Sequence, residues 1–432
     1  MHLVQITPGA GAMYCGNCFR DNALVRELRH LGHEVTMVPL YLPLTLDETD
    51  ESATTPIFFG GISVYLEQKS SLFQRAPQWL RRLLASRKLL KWAGSRAAKT
   101  KAAEVGDMML SMLRGEEGRQ ARELDELIAW LKTQTHPDVV CLSNALLVGL
   151  ARKIKTDLHT KVVVTLQGED AFLDGLPDSH REPAWQLLRA RCADVDHFIA
   201  PSRYFADLMI RRLSLPPEKV SVVYNGISLE GYETPKSKVQ SQAAPVLGYL
   251  ARMCKEKGLD TLVEAFIHLK QRGTVPRLKL QIGGSCGPGD EPFVQALRKR
   301  LAAAGYIGEV AFFPNLSRAE KIDFLRGLSV FSVPALYGEA FGLYLIEAWA
   351  AGVPIVQPHH AAFPELVAMT GGGLISAPDA RSLADQIETL LLNPEQALAL
   401  AQTGQRAVWE RFTTLAMAQE TLRVFEIVKG RS

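Results

Sequence analysis

Two glutamates, Glu339 and Glu347, flank Phe341-Gly342-Leu343 in the apolar stretch PALYGEAFGLYLIEAWAAGVPIVQP, Pro334 to Pro358, whose pattern predicts a strand, a loop and a helix. A carboxylate one turn into such a helix, as Glu347 is, suits the hydroxyls of a ribose diol. Glu339, just before the loop, faces whatever lies beyond a phosphate group. The backbone N–H groups of Phe341, Gly342 and Leu343 open the helix and suit anionic oxygens. The other reading of the pair is a capping glutamate and a surface glutamate.

Two cations offer matching chemistry. The run PVLGYLAR reads as a strand and leads into MCKEKGLDTLVEAF, which puts Arg252 and Lys257 just past the strand end, with a helix starting near Gly258. A guanidinium binds a pyrophosphate bidentately and an ammonium adds a point charge. A solvated basic loop is the alternative. LQIGGSCGPGD, Leu280 to Asp290, is a further Gly-rich strand end and contains Gly283. In the first half, TPGAGAMYCGNCFRDNALVRELRHLGHEV joins a strand end to a helix with Leu24, Leu28 and Leu31 on one stripe. Gly9 and Gly11 there let the backbone approach a ligand, or serve only a turn with positive φ. Tyr14 stands where a GxGxxG dinucleotide fingerprint needs its third glycine. Cys15 and Cys18 have CxxC spacing, but a closed zinc site needs four ligands and no second pair accompanies them. LDETD, Leu46 to Asp50, reads as a polar loop and not as a metal site, so no metal is expected.

The elements that must position these residues recur along the chain. HLVQIT, EVTMVPL, DVVCLSN, KVVVTLQ, HFIAPS and KVSVVYNG are short β-rich runs separated by helical or loop segments. PVLGYL, LKLQIGG, EVAFFP, VFSVPA, VPIVQP and GLISAP repeat the pattern in the second half. Apolar strands alternating with amphipathic helices predict an α/β protein: two doubly wound parallel-sheet domains, whose strand ends face each other across a cleft. Gly231 to Pro245, GYETPKSKVQSQAAP, reads as the linker. The domains expected are 1–232, with a helical basic insertion at about 50–130, and 233–411, with a last helix at about 412–432 packing back on the first.

At 432 residues the chain exceeds one hydrophobic core. Its 47% hydrophobic and 22% charged residues exclude disordered and collagen-like classes. Net charge of +3 gives no reason to expect nucleic acid as partner. The short apolar start without a basic leader and the lack of an apolar run of about 18 residues predict a cytoplasmic protein, in which six cysteines form no disulfide framework. Between Glu67 and Glu104 lie ten Lys or Arg and no acid, interleaved with Trp79, Leu83, Leu90 and Trp92. Residues 76–101 read as contact with anionic membrane at the inner face, or as a packed insertion with a solvated basic side.

EAFGLYLIEAWAAGVPIV resembles the E-x7-E signature of the family 4 retaining glycosyltransferases, whose two Rossmann-like domains form the arrangement called GT-B. LRHLGHEV, HFIAPSRYFADLMIRRLSLPPEKVSVVYNGI, GYLARMCKEKGLDTLVEAF, AFFPNLSRAEKIDFLRGLSVFSVPALYGEAFG and PELVAMTGGGLISAPDARSLADQIETLL match in the same order. The resemblance implies a nucleotide-diphosphate-sugar donor, and a glycan, lipid or small-molecule acceptor. It implies no cofactor, no metal and retention of configuration. Arg252 and Lys257 would neutralise the diphosphate and Glu339 would contact the transferred sugar. Glu347 would hold the ribose, with Phe341, Gly342, Leu343, Gly283 and Asn315 also on the donor side. Gly9, Gly11, Gln167 and Asp170 would fall on the acceptor and sugar side. The chain departs from the family at Gln167, where histidine is usual, and at Ser228, near which an aspartate is familiar after NG. Other readings are a nucleotide-sugar epimerase or phosphorylase on the same scaffold, and a catalytically silent sugar-nucleotide sensor.

Overall fold

A computed structural model of the chain describes residues 1–9, 16–44, 46, 48–59, 102–233 and 244–430. Gly11, Cys15 and the basic segment 76–101 lie outside them. The chain divides into two units, Met1–Tyr224 with Thr414–Ser432, and Asn225–Thr413.

Six strands build the first unit: β1 (His2–Thr7), β2 (Glu34–Pro39), β3 (Val139–Leu142), β4 (Lys161–Thr165), β5 (His197–Ala200) and β6 (Val220–Val222). They lie parallel in the order β2-β1-β3-β4-β5-β6. Near-continuous apolar runs fit this placement, because helices cover both faces of such a sheet and both sets of side chains are buried; β3 is buried along its whole length. The predicted stripe holds on the helix Gly16–His30: Leu24 and Leu28 are buried, Leu31 partly so, against Met417, Val424 and Phe425 of the helix Thr414–Gly430.

The second unit repeats the plan with β7 (Val246–Leu250), β8 (Lys279–Gly284), β9 (Val310–Pro314), β10 (Val330–Phe331), β11 (Ile355–Pro358) and β12 (Gly373–Ser376). The parallel order is β12-β11-β10-β7-β8-β9. All twelve runs read from the sequence are strands, in two Rossmann-like sheets.

Strand order reverses beside β1 in the first sheet and beside β7 in the second. In open parallel sheets, loops leaving the carboxyl ends of the two strands at a reversal diverge to opposite faces and leave a crevice. In the second unit that crevice is bounded by the loops after β7 and β10, the segments that carry Arg252 and Lys257 on one side and Glu339 on the other. Gly258, between Lys257 and the helix Leu259–Arg272, has φ +69°, and a Cβ there would stand 1.8 Å from the Pro334 carbonyl oxygen. Only glycine permits so close an approach of the two loops. Among the described residues no helix is long and apolar enough to cross a membrane.

Candidate functional site

Lys257 and Glu339 meet directly. Lys257 Nζ donates to Glu339 Oε2 at 2.5 Å, with both side chains largely buried. Tyr344 Oη donates to the same oxygen at 2.9 Å and Tyr337 Oη at 3.2 Å. The ammonium lies 4.9 Å from the Tyr337 ring centroid and 5.3 Å from that of Tyr344, within cation–π range. Burial disfavours the Lys257 charge, but the Glu339 carboxylate outweighs it and holds the ammonium above the ordinary lysine range. Burial, followed by the Glu339 charge, raises both phenols, which are therefore O–H donors at neutral pH.

Arg252 is held by Asp290. Its Nε donates to the two carboxylate oxygens at 3.0 and 3.1 Å, and Nη2 donates to Oδ1 at 2.8 Å. Asp290 is buried while the arginine side chain is 62% exposed, so the fork is anchored from beneath and presents its free edge to solvent. Asp290 Oδ2 also accepts from the Gly287 N–H, which ties the Gly-rich turn after β8 to the loop after β7. Gly283, in β8, accepts from the Ala251 N–H, and Asn315 Oδ1 accepts from the Cys286 N–H while Asn315 N donates to the Gly284 carbonyl. These two predicted residues thus shape one strand-end turn.

Glu347 follows a different partner. The helix Leu343–Ala350 starts at Gly342, in a left-handed conformation with no side-chain cap, so its first N–H groups are open to an acceptor from outside the helix. The Phe341 ring is buried and tilts against Phe412. Glu347 Oε1 accepts from Lys321 Nζ at 2.6 Å. Lys321 rides on the helix Arg318–Arg326, started by a capping box in which Ser317 and Glu320 satisfy each other's backbone N–H groups.

In the first unit Gly9 follows β1 with φ +74°, where a Cβ would stand 1.8 Å from the Leu42 carbonyl oxygen. Gln167 lies in the loop after β4, two strands away from β1 in the sheet, and Asp170 in the first turn of the helix Glu169–Asp174 that follows. Glu169, fully buried between them, accepts from Ala145 N at 2.8 Å, Gln167 N at 2.9 Å and Gly168 N at 3.1 Å. Burial pushes its carboxyl up to about 7, against the pull of those N–H groups. Asp170 is buried with no partner for Oδ1, and burial, opposed in part by the Ala171 N–H and reinforced by Asp174, raises it as well. Among the described residues no cluster of His, Cys, Asp and Glu is placed to hold a metal ion.

Sequence reasoning missed Asp290, Lys321, Tyr337, Tyr344 and Glu169. Asp290 had a signal, since GPGDEP has the helix-start pattern of aspartate before Glu-Pro. Its carboxylate goes to Arg252 and not to the helix.

The description Glycosyltransferase Family 4 matches residues 102–230 and Glycosyl transferases group 1 matches residues 233–407, running almost without a break from residue 102 to 407. D-inositol 3-phosphate glycosyltransferase of Saccharomonospora viridis is 27% identical over 237 residues, 51% of this chain and 54% of that one. Phosphatidyl-myo-inositol mannosyltransferase of Mycobacterium leprae is 33% identical over 143 residues, 33% of this chain and 37% of that one. The chain spans about half the length, or less, of the curated relatives it matches. Sucrose-phosphate synthase from Thermosynechococcus elongatus superposes over 100% of both chains, with a TM-score of 0.71 and 17% identity. HepE from Anabaena, solved with UDP and glucose, covers 99% of this chain and 100% of its own, with a TM-score of 0.68 and 16% identity. At such identities the structural likeness is one of fold. Matched in both halves and sharing the GT-B fold, the chain belongs to the family 4 glycosyltransferases.

Proposed function

We propose that this protein is a retaining glycosyltransferase that moves a sugar from a nucleotide-diphosphate-sugar donor to a hydroxyl of a glycan, lipid or small-molecule acceptor, without a metal. The observation that carries the reading is the Lys257–Glu339 contact at the strand-order reversal of the second unit, with the anchored Arg252 beside it on the loop after β7. Lys257, Arg252 and the open N–H groups at Gly342–Leu343 neutralise the diphosphate, whose charge grows as the bond from the sugar's anomeric carbon to the phosphate oxygen breaks. Fixed donors aimed at developing charge are the main resource for such a reaction. The acceptor oxygen bonds to the anomeric carbon from the same face, and its proton passes to the departing diphosphate oxygen. Glu347 holds the ribose, Glu339 meets the sugar, and Gln167, Asp170 and Gly9 belong to the acceptor and sugar side.

The family membership and the neighbour solved with UDP and glucose support this reading, and relatives named for inositol phosphate make polyol phosphates early acceptors to screen. The test is turnover by purified protein of UDP- and GDP-sugars with an acceptor panel, the product's anomeric configuration being read by NMR. Release of free sugar alone, or inversion, would remove the reading. The same proposal places the protein in the cytoplasm at the inner membrane face through residues 76–101. Binding to liposomes should then rise with anionic lipid and fall with salt, and salt-insensitive or absent binding leaves those residues without that role.

A further inference from the structure

Glu339 Oε2 accepts three hydrogen bonds, from Lys257 Nζ, Tyr344 Oη and Tyr337 Oη, and Oε1 stands outside this knot. If Lys257 serves the diphosphate, as the proposed function requires, it cannot stay wholly with Glu339. An ammonium leaving a carboxylate that is only 13% exposed would strand a desolvated charge, an arrangement proteins avoid unless other donors remain. Two such donors are already in place. Tyr344 is itself buried, and its ring lies against Gly342, 3.3 Å from where a Cβ of that glycine would be, so its hydroxyl is held at the first turn of the helix. Tyr337 closes the other side, two residues before Glu339.

Resting on that reading, we infer that Tyr337 and Tyr344 are positioning residues for a hand-over: their hydroxyls keep Glu339 compensated and aimed while Lys257 turns from the carboxylate to the diphosphate. Tyr337 and Tyr344 do not touch the reacting atoms. They make Lys257 available, and they leave Oε1 to accept from the sugar. The rings themselves attract the ammonium, so phenylalanine is the informative replacement, keeping the ring faces and removing only the hydroxyls.

The experiment is calorimetry of UDP and GDP with wild type, Lys257→Ala, the double variant Tyr337→Phe/Tyr344→Phe, Glu339→Gln, and the triple variant carrying all three conservative changes. Without the hydroxyls Glu339 depends on Lys257 alone and retains it, so the double variant should bind the better nucleoside diphosphate about fivefold or more weakly than wild type. Adding Glu339→Gln removes the competing charge and should return affinity to within about twofold of Glu339→Gln alone. A merely structural role for the tyrosines predicts no such rescue, because a packing defect is indifferent to the charge at 339. Wild-type affinity in the double variant, or an equal loss with glutamate and glutamine at 339, overturns the hand-over while binding that depends on Lys257 upholds the proposed function. Absence of binding to either nucleotide by wild type overturns both.

Discussion

Changing Glu347 to Gln should weaken binding of free nucleoside diphosphate and intact donor alike. The carboxylate is 18% exposed, and its Oε1 is taken by Lys321 at 2.6 Å, which leaves the other oxygen for the ribose in the proposed site. Glutamine keeps the shape, but its amide N–H₂ cannot face the lysine ammonium, so its carbonyl oxygen turns to Lys321 and the amide group meets the ribose. One charge-assisted contact to the ribose is thereby lost. Hydrogen bonds to charged groups contribute about 1.5–3 kcal/mol, so affinity should fall about tenfold to a hundredfold. The fold should hold, because the pair is partly solvated and such contacts contribute little to stability. Calorimetry with UDP and GDP reads the effect, and their 2′-deoxy forms sharpen it: deleting the hydroxyl should weaken binding to wild type far more than to Glu347→Gln. Equal losses on the deoxy ligands in both proteins would sink the ribose assignment and leave Glu347 as a structural partner of Lys321.

Three more outcomes are expected. Arg252→Ala should lower nucleoside diphosphate affinity about tenfold to a hundredfold, and Asp290→Asn, which frees the fork without removing it, by a smaller factor of about three to ten; equal affinity in all three proteins by calorimetry would exclude the pair from the site. Gly258→Ala should destabilise the second unit by at least about 2 kcal/mol, since it adds the strain of a left-handed alanine to a Cβ 1.8 Å from the Pro334 oxygen, and an unchanged urea midpoint would contradict it. Glu169 has a folded-state carboxyl raised from 4.5 to about 7, so its contribution to stability is full below about pH 4.5 and is lost as pH rises toward 7. The stability of wild type relative to Glu169→Gln, measured in urea at pH 5 and pH 8, should therefore fall at the higher pH, and a pH-independent difference would refute the raised carboxyl.

The sequence by itself determined the strands, the family and the charged residues of the candidate site, because these are properties of adjacent residues. Each strand is a run of side chains that must be buried on both faces, and the twelve runs are legible without knowing what covers them. Arg252, Lys257, Glu339 and Glu347 are legible for the same reason: each lies within a turn of a strand end or helix start, and the element boundary alone puts it at the carboxyl edge of a sheet. What holds those charges was decided only by tertiary structure. Arg252 meets Asp290, 38 residues away, because β7 and β8 are neighbours and their strand-end turns lie side by side. Lys257 and Glu339 are 82 residues apart and meet because β10, not β9, pairs with the other side of β7. Glu347 finds Lys321 across 26 residues, the two standing on separate helices. Tyr344 is the instructive case, since it stands only five residues from Glu339 and reads in the sequence as one more apolar helix position. The helix begins at the left-handed Gly342, and the Tyr344 hydroxyl in its first turn donates to the carboxylate. A pattern of hydrophobicity records that a residue is buried, but the direction of its one polar atom depends on backbone angles and neighbours that the pattern does not contain.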